Sequence, residues 1–322
     1  PYTTLFRSSS IAPIYPIYIR QVDENGNVYI KKDQYGHEAY DYGLPSGYGV
    51  TRPFLSTGNP LGNNRYNDVK TGFNQINASV FADVIFTDWL KFNATSTIIY
   101  GISDFTDYEN CFEGPKVGVN GELTRSNTSS TRTNNVQTLM FNKAFGKHNV
   151  DAMLGHEYYK SKGGYLASVA EGGFSPAIEE IDAFAYKKDG SSYTTYYNVE
   201  GWFGRAQYNY DDKYFFSGSY RRDASSRFAK ENRWGNFWSI GAAWLINKEA
   251  FFNVDWVDEL KIKASIGQQG NDNIGSYAYI DLYSLSKASN TQMSPTFYRK
   301  GNEDITWETT TNLNLGVEFS LF

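Results

Sequence analysis

Residues Asn312 to Leu321 read N-L-N-L-G-V-E-F-S-L. Leu313, Leu315, Val317, Phe319 and Leu321 fall on one parity, and Asn312, Asn314, Gly316, Glu318 and Ser320 on the other. A strand over this stretch therefore carries one apolar and one polar face, because successive side chains of an extended chain point to opposite sides. The same reading extends backward. Leu260, Ile262, Ala264 and Ile266 alternate with Lys261, Lys263, Ser265 and Gly267. Ile240, Ala242, Trp244 and Ile246 alternate less cleanly with Ser239, Gly241, Ala243 and Leu245. Further upstream, Leu90, Phe92, Ala94, Ile98, Tyr100 and Ile102 oppose Lys91, Asn93, Thr95, Thr97 and Ser103, and Ile76 to Phe86 form the strand before.

A soluble β-sandwich alternates too, so period alone does not choose the architecture. Length does more. Several runs exceed ten residues, longer than the five or six common in globular strands and suited to a tilted membrane crossing of about nine to eleven.

Composition agrees with a barrel wall. Aromatics make up 17% of the 322 residues, with 26 Tyr, 22 Phe and 7 Trp. Mean hydropathy is nevertheless -0.53, and no apolar run approaches the roughly 18 residues of a membrane helix. Strands that face lipid on one side and water on the other reconcile the two. Net charge is -5 without a block of Lys and Arg, so nucleic acid is not an expected partner. One cysteine, Cys111, excludes an internal disulfide, and His37, His148 and His156 show no zinc-ligand spacing. No metal or cofactor is expected, and His148 and His156 read as structural.

Connections alternate between tight and long. Thr87-Asp88-Trp89, Gly146-Lys147-His148-Asn149 and Asp211-Asp212-Lys213 are tight-turn candidates. Asp104 to Ser129 and Gly163 to Tyr196 read as long polar excursions rich in Gly, Ser, Thr, Asn and Tyr. Short turns on one side and long loops on the other are the outer-membrane arrangement, periplasmic and extracellular respectively. Asn247 to Glu259 reads as one short helix or turn on the periplasmic side.

Three parts are expected. Pro1 to Ser8, PYTTLFRS, looks like translated sequencing adapter and is set apart. Residues 9–73 read as an extracellular loop segment with a small hairpin around Glu24-Asn25-Gly26-Asn27. Residues 74–322 read as barrel strands and loops. An exported protein needs a signal peptide and none opens this chain, so a gene fragment is expected.

Chemistry is sparse. Arg221, Arg222, Asp223 and Arg227 cluster guanidinium groups that either clamp an anion or form an ion-pair network at the extracellular end. Asp211-Asp212 and Glu179-Glu180 with Asp182 lack convergent partners, and Gly270 to Gly275 lacks the lysine of a phosphate loop. No Ser-His-Asp or Cys-His arrangement can be assembled, so no enzyme is expected. Trp202, Trp238 and Trp244 suit interfacial girdles. Tyr15, Tyr18, Tyr35, Tyr40, Tyr42 and Tyr48 lie in the irregular N-terminal segment, where they either stack on sugar rings or pack among themselves.

One stretch is specific enough to name a resemblance. Tyr197 to Asn273 contains RRDASSRF (Arg221–Phe228), NRWG (Asn232–Gly235) and LKIKASIG (Leu260–Gly267). It resembles the SusC-like (RagA-type) TonB-dependent outer-membrane transporters of Bacteroidetes. Ile305–Phe322 looks like the next segment of that family, with weaker matches at Ala12–Tyr18 and Lys147–Lys162. The resemblance implies a barrel of about 22 strands around a plug domain, of which this chain would hold about ten as an open curved sheet with long extracellular loops. The plug, the energy-coupling box and the terminal strands are not recognisable in it. It further implies import of a glycan, less readily a peptide, with a SusD-like surface lipoprotein that the N-terminal tyrosines could contact. A TonB complex would act through the missing N-terminal region. The alternative is a soluble secreted all-β carbohydrate-binding module, which would bury Leu313, Leu315 and Phe319 against a second sheet.

Overall fold

A computed structural model describes residues 15–32, 36–43, 58–112, 114–289 and 291–321. In chain order the elements are β1 (Arg20–Val22), β2 (Val28–Ile30), α1 (Pro60–Tyr66), β3 (Asp68–Thr87), β4 (Leu90–Glu109), β5 (Glu122–Phe145), β6 (His148–Gly173) and β7 (Phe184–Tyr210). They continue with β8 (Tyr214–Ser225), β9 (Trp234–Leu245), β10 (Val257–Asn271), β11 (Leu282–Lys287), β12 (Met293–Arg299) and β13 (Glu308–Leu321). One nine-stranded sheet has the order β13-β10-β9-β8-β7-β6-β5-β4-β3, against the roughly ten strands expected, and it is not closed. β1–β2 and β11–β12 are separate hairpins.

The chain divides into two compact units, to both of which β3 to β7 contribute. The first takes residues up to Gln75, Gly101–Ser130 and Gly163–Thr194. Its small core is Tyr108, Leu123, Ala170 and Phe184. Lys188 bridges Glu122 and Glu171 at 2.7 Å each, and Lys116 also reaches Glu122 at 2.7 Å. Asn59 caps α1 by accepting from the amides of Leu61 and Gly62, and its own amide donates to the carbonyls of Ile17 and Asp41. The cap thus ties the helix to the β1–β2 segment.

The second unit takes Ile76–Tyr100, Thr131–Lys162 and residues from Thr195 onward. Register fixes its faces. Ile240 stands opposite Ile266, which stands opposite Leu313; one step along, Gly241, Ser265 and Asn314 align. The first row is apolar and the second polar. Leu313, Leu315 and Phe319 are 66%, 77% and 68% exposed, and no second sheet among the described residues covers them. That exposure rules out the sandwich core of a soluble module.

Aromatic residues bracket the apolar face. At the tight-turn end Tyr210 stacks near Tyr214 and Tyr214 near Trp244, each pair 6.3 Å apart. Lys143 extends over Trp89 at 4.7 Å, its stem on apolar surface and its charge at the rim. At the other end Trp202, Tyr220, Trp238 and Trp234 occupy the same face. Trp234 and Trp244 are ten positions apart on β9, about 33 Å of strand and about 25 Å of height at the usual barrel tilt of about 40°. Such a band matches a hydrocarbon layer.

β3 to β7 run 20 to 27 residues, roughly twice what a crossing needs. The tight turns at Asp88-Trp89, Gly146-Lys147 and Asp211-Lys213 leave no room for the excess at their end. It runs toward the long connections. The two stretches expected as polar excursions are therefore corrected: only 110–121 and 174–183 connect strands there, and β3 already starts at Asp68. Beyond the hydrocarbon neither face needs apolar side chains, so backbone ladders persist through SNTSSTRTNN with no alternation to announce them.

The tight turns carry their own chemistry. Asp211 and Asp212 adopt φ of 56° and 50°, left-handed values that Asp tolerates better than most residues. The Lys147 ammonium donates to Asp211 at 2.8 Å, holding that carboxyl below its ordinary range and raising the lysine. Beside it, Glu249 receives the Tyr214 hydroxyl at 2.5 Å and the Trp244 indole at 3.1 Å, with Lys213 at 3.5 Å. These donors, Tyr214 foremost, lower the Glu249 carboxyl.

Two outcomes follow for the full-length protein refolded into vesicles. Ile266→Lys, on the apolar face midway between the girdles, is expected to cost about 2–4 kcal/mol in urea unfolding, while Ser265→Lys on the polar face costs far less; equal losses would contradict the face assignment. Because the folded Glu249 pKa is depressed, its tether is complete above the ordinary carboxylate pKa of about 4.3 and fades as pH falls through the lower folded value. The gap in unfolding midpoint between wild type and Glu249→Gln should hold from pH 7 to 5 and close toward pH 3.

Candidate functional site

The polar face of β7 to β10 and β13 is lined by small and hydrogen-bonding side chains. Gln207 stands opposite Ser217, Ser217 opposite Gly241, Gly241 opposite Ser265 and Ser265 opposite Asn314. Amides and hydroxyls therefore run across the wall in rows. A depression of about 520 Å³ lies on them, lined among others by Asp151, Gln207, Asn209, Lys263 and Asn314. On its lining Lys263 bonds Glu318, and Asp151 is approached by Arg205 at 3.5 Å.

Toward the long-connection end the rows become a charged network. Arg221 donates to Glu157 at 2.8 Å and to both oxygens of Asp223 at 2.7 and 2.8 Å, and its guanidinium lies 5.2 Å above the Phe203 ring. A smaller depression of about 480 Å³ is lined by Arg221, Asp223, Phe237, Gln269 and Trp307. Phe237 lies flat over Gly235 and Gly270, where a Cβ would collide with its ring, so the glycines create the seat.

RRDASSRF closes this end. Asp272 accepts the Tyr197 hydroxyl at 2.7 Å and the Ser225 hydroxyl at 2.6 Å on one oxygen, while its carbonyl accepts Arg227 at 2.9 Å. Arg227 also sits 4.4 Å above the Tyr197 ring. Ser225 and Phe228 are 0% exposed. Phe228 packs against Trp307 at 5.5 Å, and the Trp307 indole donates to the Arg233 carbonyl at 2.8 Å. Three connections are latched together by one carboxylate and one indole.

The arginine cluster therefore separates. Arg221 and Arg227 lie on the polar side, each beside carboxylates. Arg222, one residue from Arg221, is on the other face, 5.0 Å from the Trp234 ring. Glu157, Asp272 and Trp307 complete the networks and were not singled out in the sequence, although the Arg221, Asp223, Ser225 parity placed three of the partners on one face. Among the described residues no group of three or more His, Cys, Asp or Glu side chains is placed to hold a metal.

The tyrosines divide as well. Tyr40 and Tyr42 are buried; Tyr40 packs on Tyr18 at 4.9 Å and on Tyr66 at 5.9 Å, and Tyr42 covers Gly62 of α1. For these two the exposed, ligand-stacking reading is corrected, since α1 claims their surfaces. Tyr15 and Tyr18 are half-buried. Tyr35 and Tyr48 lie outside the described residues.

The family profile "TonB dependent receptor-like, beta-barrel" matches residues 18–322. The chain belongs to that family. It is 31% identical over 211 residues to the TonB-dependent receptor SusC of Bacteroides thetaiotaomicron, covering 63% of this chain and 20% of SusC. It is 29% identical over 255 residues to TonB-dependent receptor P3 of Formosa agariphila, covering 76% of this chain and 25% of P3. Among solved structures, the RagAB peptide transporter superimposes with a TM-score of 0.78 at 22% identity, over 89% of this chain and 32% of that one. The chain thus spans a quarter or less of these two curated relatives. As a TonB-dependent receptor barrel it lies in the outer membrane.

The latch makes a direct prediction. In the full-length receptor, Asp272→Ala leaves the Tyr197 and Ser225 hydroxyls without their acceptor and removes the carboxylate 3.5 Å from Arg227, an expected loss of about 1–3 kcal/mol, whereas Tyr197→Phe removes a single bond worth about 1 kcal/mol. Trypsin added to intact cells should nick the 226–233 connection, at Lys230, several-fold faster in the first variant and little faster in the second. Equal cleavage of both and wild type would show that Asp272 does not hold the connection.

Proposed function

We propose that this chain is a section of the pore wall of a TonB-dependent importer that takes up oligosaccharide, working with a SusD-like surface lipoprotein and powered through a TonB complex that engages another part of the protein. The observation that supports the substrate class is the neutral polar lining. Gln207, Asn209, Ser217, Ser219, Ser239, Ser265, Asn312 and Asn314 present amides and hydroxyls, groups that exchange hydrogen bonds with sugar hydroxyls as readily as with water. The charges beside them are internally paired, which leaves little net field to select a charged solute. Kinship with SusC supports the same reading. Peptide is the second reading, favoured by the fold shared with the RagAB peptide transporter.

Deletion of the full-length gene, followed by growth on defined oligosaccharides and on defined peptides as sole carbon source, tests the proposal. Loss of growth on an oligosaccharide with peptide growth intact is the expected outcome, restored by the wild-type gene. Loss on peptides alone would replace oligosaccharide by peptide, and intact growth and uptake on both would overturn import of either class.

A further inference from the structure

The lipid-facing side of β7, β8 and β9 is interrupted by a trough. Gly204 stands opposite Tyr220 and Ala206 opposite Gly218, so three small residues adjoin, with Ile240 next to Gly218 on β9. A Cβ at Gly218 would meet nothing within 4 Å. The missing side chain is not replaced by a neighbour. Leu154, Trp202, Tyr220, Trp238 and Ile240 stand around this floor and enclose about 1480 Å³. Leu154 covers Gly204, but it and Ile240 remain 66% and 60% exposed, and the floor at Gly218 stays open.

One end of the trough is charged. Arg222 lies on the same face, opposite Trp202 and two steps beyond Tyr220, at the level of the extracellular girdle. Its guanidinium rests 5.0 Å from the Trp234 ring and makes no ion pair among the described residues. The acidic side chain at that level, Glu200, is engaged with His156 at 3.2 Å. From Gly218 to Arg222 is about 13 Å of strand. An apolar channel running through the hydrocarbon layer to an unpaired cation at headgroup height is complementary to one class of molecule, an acyl chain joined to an anionic head.

We propose that the trough holds one anionic, phosphate-bearing lipid, its acyl chain over Ala206 and Gly218 and its phosphate on Arg222. A second copy of the barrel would need a protruding ridge and a free carboxylate to satisfy the same surface; Glu200, at that level, is already engaged.

The full-length receptor in phosphatidylcholine nanodiscs, with trace nitroxide-labelled phosphatidylglycerol or phosphatidylcholine, tests this by the motionally restricted fraction of label. Wild type should restrict phosphatidylglycerol about fivefold more effectively than phosphatidylcholine. Arg222→Gln should erase that preference and Arg222→Lys retain it. Gly218→Leu, which fills open space, should abolish the restricted fraction of both lipids while the barrel keeps its heat-modifiable migration. An unchanged restricted fraction in Arg222→Gln and Gly218→Leu would overturn the proposal. So would a wild-type receptor whose particle mass halves in Gly218→Leu, because a second copy would then be the occupant.

Discussion

Backbone hydrogen bonding inside hydrocarbon governs everything else in this chain. No water is present there to satisfy an amide or carbonyl, and each orphan costs several kcal/mol. The nine-stranded ladder answers that demand for its interior strands, each paired on both sides. β3 and β13 are paired on one side only. Within the apolar band their outer rows of N–H and C=O groups need further strands, which is the physical reason that a receptor of this family closes its wall.

Once the ladder is fixed, the two-residue period assigns every side chain to lipid or to the pore. The wall is one strand thick and has no interior in the globular sense. Few residues reach full burial, Phe228, Leu123 and Ser225 being the largest. None of them lies in the middle of the crossing: Leu123 belongs to the small core of the first unit, and Ser225 and Phe228 to the latch beneath Trp307. Between the girdles, the stability of the wall rests on paired backbone and on apolar side chains facing acyl chains.

The same logic explains what could be read in advance. β9, β10 and β13 announced themselves because lipid on one side and water on the other impose alternation. The ends of β4 to β7 gave no such signal, since both faces there are polar and only backbone pairing holds them. The short connections were legible from Asp and Gly at positions needing left-handed backbone. Partners across strands were not. Glu157 is 64 positions from Arg221 and Asp272 is 75 from Tyr197, distances over which only register brings side chains together. The burial of Tyr40 and Tyr42 was hidden for a different reason: it depends on α1, a seven-residue helix whose Asn-capped start is weak against the surrounding Gly and Asn.

Arg221 and Arg222 show how far the period reaches into function. Adjacent in sequence and identical in chemistry, they differ only in parity. Arg221 enters the polar side, where carboxylates on β6 and β8 neutralise it and an aromatic ring covers it, so it adds no free charge to that face. Arg222 emerges at the headgroup level beside Trp234, where a guanidinium can keep its charge hydrated while its stem lies on apolar surface. A one-residue slip of β8 would exchange them, placing the neutralised network against lipid and an unpaired cation in the pore. The Ser225 and Asp272 latch works against that slip, because its hydroxyl–carboxylate bond of 2.6 Å can form only when Ser225, and with it Asp223 and Arg221, points inward.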